Sequence, residues 1–269
     1  MKKFACAIAL ALVAGSAFAQ TVSFKDPAGD DDGPGGYSYP TDAVYTRGSF
    51  DLTGFTLKTN GAKTDVTVNV NGNLADPWSM GGGFATQMVF IFIDKDHEAG
   101  SGHTKALAGL NFEFAPESAW EKVIILSPQQ PGRVKTEVEQ KAADTKEDVI
   151  IPARTRGAGR SISATIDTAA LGEGDPSTWA YQVVMQSNEG FPSGTDLLTR
   201  KVNEYEGQHR FGGGNDGECD PHAIDLLAGD GTGAKEEIDL QHKMLAYECG
   251  DDGSVKKLAV VSAVHAKQK

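Results

Sequence analysis

The run Met88-Val-Phe-Ile-Phe-Ile93 sets the tightest limit on how this chain folds. Its side chains are unbroken apolar and, after Met88, all β-branched or aromatic, so it reads as a central buried strand. Shorter strand signals surround it. Val66-Thr-Val-Asn-Val70 and Ile162-Ser-Ala-Thr-Ile166 alternate apolar and polar residues, as half-buried strands do. Val123-Ile-Ile-Leu126 is a short apolar run, Trp179 to Met185 mixes aromatic and β-branched residues, and Leu258 to Val264 closes the series. Glycine-rich turns separate them at Gly81-Gly-Gly83, Gly100-Ser-Gly102, Gly212-Gly-Gly214 and Gly229-Asp-Gly231. Many short strands with Gly, Asp and Pro punctuation predict an all-β fold, an antiparallel β-sandwich. Helical signals are few: Ala115 to Lys122 as one short helix, and the charged stretch from Glu137 to Asp148 as a solvated helix or a loop. With no repeat and no composition break, residues 20–269 read as a single domain.

The first residues carry a different message. Lys2 and Lys3 precede an uncharged apolar stretch from Phe4 to Val13, and Ala17-Phe-Ala19 sets small residues before Gln20. That is the layout of a cleavable secretory signal peptide over residues 1–19. The apolar run is too short for a bilayer core, which takes about 20 residues. No Cys stands directly after the cleavage site, which argues against a lipoprotein, and no later stretch reads as a transmembrane segment. The expected location is periplasmic or secreted. Net charge is −12, or −14 once Lys2 and Lys3 are lost; such a surface repels phosphate backbones, so no nucleic acid partner is expected. Cys219 and Cys249 remain after cleavage, and in an oxidising compartment they read as a disulfide.

Two loops concentrate ionisable residues. In the first, Asp26, Asp30, Asp31 and Asp32 fall within seven residues on a backbone rich in Gly and Pro, followed by Tyr37 and Tyr39. Crowded carboxylates on turn backbone suit Ca²⁺, which takes six to eight oxygen ligands; the same composition also suits a solvated acidic turn. The second, Asp94-Lys-Asp96-His97-Glu98 through His103-Thr104, leaves the apolar strand. It lacks the glycine position and closing Glu of an EF-hand; His97 and His103 with Asp94 and Asp96 are a zinc alternative to an ordinary polar loop. No Gly-x-Ser-x-Gly elbow and no His-Glu-x-x-His motif is present, so the chain is read as not an enzyme. Trp78, between Asp76-Pro77 and a Gly run, and Tyr37 and Tyr39 are candidate platforms for sugar rings, while Trp120 and Trp179 read as core.

The motifs Asp26-Pro-x-Gly-Asp-Asp, Gly33-Pro-Gly-x-Tyr-x-Tyr-Pro-Thr41 and Gly48-Ser-Phe-Asp-Leu52 occur together with Pro77-Trp78, Phe92-Ile-Asp94 and Gly100-Ser-Gly102-His-Thr104. Further along come Gly109-x-Asn111, Ala119-Trp-Glu121, Arg210-Phe-Gly-Gly-Gly214 and Asp220-Pro221 with Ile224-Asp-Leu226. This ordered set resembles the DOMON-like C-terminal module of glucodextranase. The resemblance implies a jelly-roll type sandwich similar to family 9 carbohydrate-binding modules. It also implies a non-catalytic role in binding carbohydrate or cell-envelope polysaccharide, beside a separate glycoside hydrolase or envelope partner. It raises the acidic loop to a structural Ca²⁺ site of Asp26, Asp30 and Asp31, with Asp51 from the start of the next strand. The chain departs from the usual arrangement in having no catalytic domain, in His222 after Pro221, and in the cysteine pair, which looks like a local addition. An alternative from the wider superfamily is a haem-binding, electron-transfer domain with an axial Met, His or Lys, for which Met80, Met88 and Met185 are candidates.

Overall fold

The computed structural model describes residues 19–266, so the signal-peptide reading lies outside the described residues except for Ala19. Two sheets form the body. The first is built from β1 (Gln20–Lys25), β2 (Leu52–Asn60), β3 (Lys63–Val70), β7 (Thr155–Ala158) and β8 (Ser161–Asp167), in the order β1-β2-β3-β8-β7. The second uses β4 (Gln87–Asp94), β5 (Lys122–Leu126), β6 (Val149–Ile150), β9 (Ala180–Ser187) and β10 (Asp225–Leu226), in the order β10-β9-β4-β5-β6. A further short strand, β11 (Val264–His265), also pairs with β9. Within these two sheets every pairing is antiparallel except β5 with β6. This is the all-β sandwich that the strand pattern predicts.

Why β4 is apolar without alternation follows from its position. Every residue of β4 and of its neighbour β9 is buried. Val89, Ile91 and Ile93, with Tyr181, Val183 and Met185, meet Leu57, Val66, Val68 and Ile162 of the first sheet. Met88, Phe90, Phe92 and Val184 face the other way, into a second apolar cluster roofed by Phe112, Phe114, Trp120 and helix α1 (Pro131–Lys141). The molecule is therefore three layers deep at this point, and each fully buried Phe or Ile contributes about 1.5–3 kcal/mol. The amide nitrogen of Gln182 in β9 is satisfied: Gln182 Nε2 donates to the carbonyls of Leu227 and Ser262, both at 2.8 Å.

Helical expectations fare less well than strands. Ala115 to Lys122 holds only a 3₁₀ turn at Pro116–Ser118, because Trp120 is drawn into the outer cluster and Lys122 already begins β5. In the stretch from Glu137 to Asp148, Lys146–Asp148 is a 3₁₀ turn, and Glu137 to Lys141 is the end of α1, which starts at Pro131, where proline's fixed φ suits a first helical position. It is not wholly solvated, since Val134 and Val138 pack on the outer cluster. A second helix, α2 (Glu236–Met244), has acidic residues in its first turn that favour the positive end of its dipole. Leu258 to Val264 is split: Val260–Val261 runs parallel to Glu113–Phe114, and only Val264 reaches β9. Gly83 sits in a tight turn; at φ 82° an added Cβ would lie 2.2 Å from the Gly157 carbonyl oxygen. The Cys219–Cys249 disulfide is present, with Cα atoms 5.4 Å apart, joining the loop before β10 to the small hairpin of Glu248–Cys249 and Val255–Lys257.

Candidate functional site

Four aspartates come together from the N-terminal segments and β10. Asp26 follows β1, Asp30 lies in the loop beyond it, Asp51 immediately precedes β2, and Asp225 opens β10. They are 6, 0, 2 and 0 % exposed. Carboxylate oxygens of Asp26, Asp30 and Asp225 lie within 4.8 Å of one another. Part of each group is held by the backbone or a neighbour. Asp51 Oδ2 accepts from Gly29 N at 2.9 Å and Asn71 Nδ2 at 3.0 Å, Asp225 Oδ2 from Leu52 N at 2.6 Å, and Asp26 Oδ1 from Ala228 N at 3.4 Å.

The remaining oxygens have no partner: Asp26 Oδ2, both oxygens of Asp30, Asp51 Oδ1 and Asp225 Oδ1 are buried without a hydrogen bond. No Lys, Arg or His among the described residues forms an ion pair with any of the four. Burial, and then the neighbouring carboxylates, push Asp26 and Asp225 well above the usual carboxylate range. Asp30 is pushed up to about 7, chiefly by burial and then by Asp51. Asp51 is pushed up to about 6, again chiefly by burial. Uncompensated carboxylates in a dry interior are costly. An all-oxygen set converging on one point fits a hard cation that accepts many oxygen ligands, as Ca²⁺ does.

Of the residues named from sequence, Asp26, Asp30 and Asp51 come together here. Asp31 does not join them: its Oδ2 accepts the Tyr39 hydroxyl. Asp32 turns to His242, 3.0 Å from its Nε2. Asp225 is the member that sequence reasoning missed; its signal was a charged residue between Ile224 and Leu226 in an apolar strand.

Tyr37 and Tyr39 are corrected outright as ligand platforms. They are 6 and 8 % exposed, and with Tyr45, Phe50 and Phe211 they form an aromatic cluster beneath the acidic loop. Tyr39 sits 4.9 Å from the Phe211 ring, and Tyr37 Oη donates to the Pro221 carbonyl at 2.5 Å. Both rings are spent on holding that loop. Trp78 differs, being 36 % exposed. Its ring meets Tyr45 and His209 edge-on, at 6.4 and 6.0 Å between centroids. The Arg200 guanidinium lies over it at 5.7 Å. Arg200 is itself fixed, donating to the carbonyls of Asn188 at 2.9 Å and His209 at 3.1 Å, with Glu189 Oε2 3.5 Å away. A braced indole beside Arg200, which in turn meets Glu189, offers both an apolar face and planar polar groups.

In the second ionisable loop, carboxylate oxygens of Asp94 and Asp96 lie within 4.8 Å of each other and of Glu121, while each histidine is anchored separately. His97 Nδ1 lies 3.1 Å from Asp94 Oδ2 and its Nε2 2.8 Å from the Thr178 carbonyl, whereas His103 meets Asp148 at 2.9 Å. The two histidines are not brought together. Burial opposes charge on His97, but its two acceptors outweigh that and hold its pKa above the ordinary value. Met88 and Met185, named for haem, are packed inside the two apolar clusters.

Comparison with known families returns one description for this architecture. Residues 21–263 match the family described as the C-terminal binding module, SLH-like, of glucodextranase. No curated protein matches the chain.

Proposed function

The chain belongs to the family of C-terminal, SLH-like binding modules of glucodextranase, and from that premise we propose that it is a non-catalytic carbohydrate-binding module acting outside the cytoplasmic membrane. Among the described residues no helix is long and apolar enough to cross a membrane. The observation that carries the proposal is Trp78, an indole fixed on three sides by Tyr45, His209 and Arg200 with about a third of its surface open. A ring that is already ordered pays little entropy on stacking against the C–H face of a sugar, and the adjacent guanidinium and carboxylate suit its hydroxyls.

The acidic centre supplies rigidity in this reading. Asp26, Asp30, Asp51 and Asp225 would hold Ca²⁺, whose charge relieves the repulsion among them and ties the N-terminal loop to β10. The cation's role is structural.

Affinity electrophoresis through gels loaded with neutral glucans and with envelope polysaccharide tests the reading. The wild-type chain is retarded by at least one of them, and Trp78→Ala weakens that retention about tenfold or more without changing the melting temperature. Absence of retardation by any polysaccharide, or full retention by the Trp78→Ala variant, overturns it.

A further inference from the structure

The edge strand β7 runs against the molecule's overall charge. Arg154, Arg156 and Arg160 fall within seven residues of a chain whose net charge is −12. Arg160 reaches Asn73 Oδ1 at 3.5 Å. Arg154 and Arg156 are exposed, and neither guanidinium forms an ion pair or hydrogen bond among the described residues. Acidic side chains are abundant, so two guanidinium groups left without a carboxylate mark a place where the partner is expected from outside.

Both arginines border a cavity of about 500 Å³ on the outer face of the first sheet, whose floor includes Asp65, Thr67, Ser163 and Thr165. Arg154 also borders a second cavity, of about 300 Å³, between the Met80–Gly82 loop and Gln129 and Gln130. The two share Ala153 and Arg154 and so adjoin at the start of β7, the larger one forming a groove beside that strand. Its wall is firm: Gly157 N donates to the Gly82 carbonyl at 2.7 Å, locking the loop against the strand. The lining has no aromatic ring, which separates it from the Trp78 edge.

Hydroxyls, amides and one carboxylate suit a hydroxyl-rich chain. Unpaired guanidinium groups suit planar carboxylates, which they bind in a bidentate fork. We propose that this groove takes a segment of an anionic polysaccharide bearing uronate carboxylates, with Arg154 and Arg156 selecting for the charge. This rests on the carbohydrate-binding reading and names the class of glycan. A nucleic acid strand would need a longer basic track and stacking rings, and the groove offers neither.

Calorimetric titration at near-physiological salt tests it with short oligosaccharides of polygalacturonate, alginate and hyaluronan. Their methyl-esterified counterparts keep the backbone and lose the charge. At least one free-acid chain binds, and its ester binds about tenfold more weakly or worse. Arg154→Gln and Arg156→Gln each weaken the free-acid complex about tenfold, with unchanged melting temperature and unchanged retention by neutral glucan. If neutral glucan is bound through Trp78 but none of the acidic chains is, this proposal fails alone. It also fails alone if the esters bind equally well, if the arginine variants bind as wild type does, or if polyglutamate or single-stranded DNA binds as tightly. If no polysaccharide of either kind binds, the carbohydrate reading falls with it.

Discussion

Substituting Asp30 by Asn separates an ion site from a buried polar cluster, because the two cases move stability in opposite directions. Asp30 is fully buried, and neither of its carboxylate oxygens has a hydrogen-bond partner. Its pKa stands at about 7 against an ordinary 3.8. With a folded-state pKa above the unfolded one, the folded protein holds its proton longer, so stability of the metal-free chain falls as pH rises through that window. At 1.36 kcal/mol per pH unit, the loss reaches about 4 kcal/mol at pH 8 and about 2 kcal/mol at pH 5. Asn has the same shape and no charge, and its amide has the unpartnered oxygens of Asp51 and Asp225 nearby as acceptors. In chelator at pH 8, Asp30→Asn should therefore be more stable than wild type by about 2–4 kcal/mol, or roughly 5–15 °C in melting temperature. Added Ca²⁺ should reverse the order. Wild type gains about 2.7 kcal/mol at a hundredfold excess over Kd and about 4.1 kcal/mol at a thousandfold, where the gain exceeds the variant's lead, and the variant gains little. Differential scanning calorimetry at pH 5 and pH 8, with chelator and with Ca²⁺, reads all of this. A chelated Asp30→Asn protein that melts below chelated wild type, or a wild type indifferent to Ca²⁺, refutes the reasoning.

Other outcomes follow from the fold and its anchors. Replacing Cys219 and Cys249 by Ser releases a loop closed across 30 residues and should cost about 3–4 kcal/mol in urea denaturation; an unchanged midpoint would show that the hairpin is held by other contacts. Phe92→Ala empties a site where the ring lies 4.8 Å from Phe114 and 5.3 Å from Trp120, at an expected loss of about 3–5 kcal/mol; a loss under 1 kcal/mol would mean the outer layer collapses freely onto the sheet. The pKa of His97 is raised, so its contribution is present below the ordinary pKa and fades as pH climbs through the folded value. His97→Gln should flatten that part of the stability profile, and an unaltered slope would exclude His97 as its source.

How much of this was legible depends on whether the signal was local. Strands β3, β4, β5, β8 and β9 could be read because alternation, or its absence, records burial residue by residue. The acidity of Asp26 and Asp30 was visible, but Asp225 joins them only through the pairing of β10 with β9, and no local pattern announces that neighbour. Tyr37 and Tyr39 misled for the same reason. Beside a Gly-rich acidic loop they look exposed, yet Phe211 arrives from far along the chain to bury them. Trp78 could be named from its turn, whereas its bracing by Arg200 and His209 could not. The start of α1 lay six residues before the charged stretch that was read as helical, at Pro131, a residue that suits a first helical position.

The convergence of Asp26 and Asp51 with Asp225 also bears on time. β1, β2 and β3 pair with their neighbours in sequence, but β3 must find β8, and β4 must find β9, across long intervening segments. Chains with so many distant pairings fold slowly. The four carboxylates meet only when the N-terminal loop and β10 have docked, so a cation there would complete its coordination shell late in folding, past the rate-limiting barrier on this reasoning. Interactions absent from a transition state change the rate of leaving the native state and hardly touch the rate of reaching it. Calcium at this position would therefore act as a clock for escape: stripping it away shortens the lifetime of the native molecule, while refolding from denaturant proceeds at nearly its former pace.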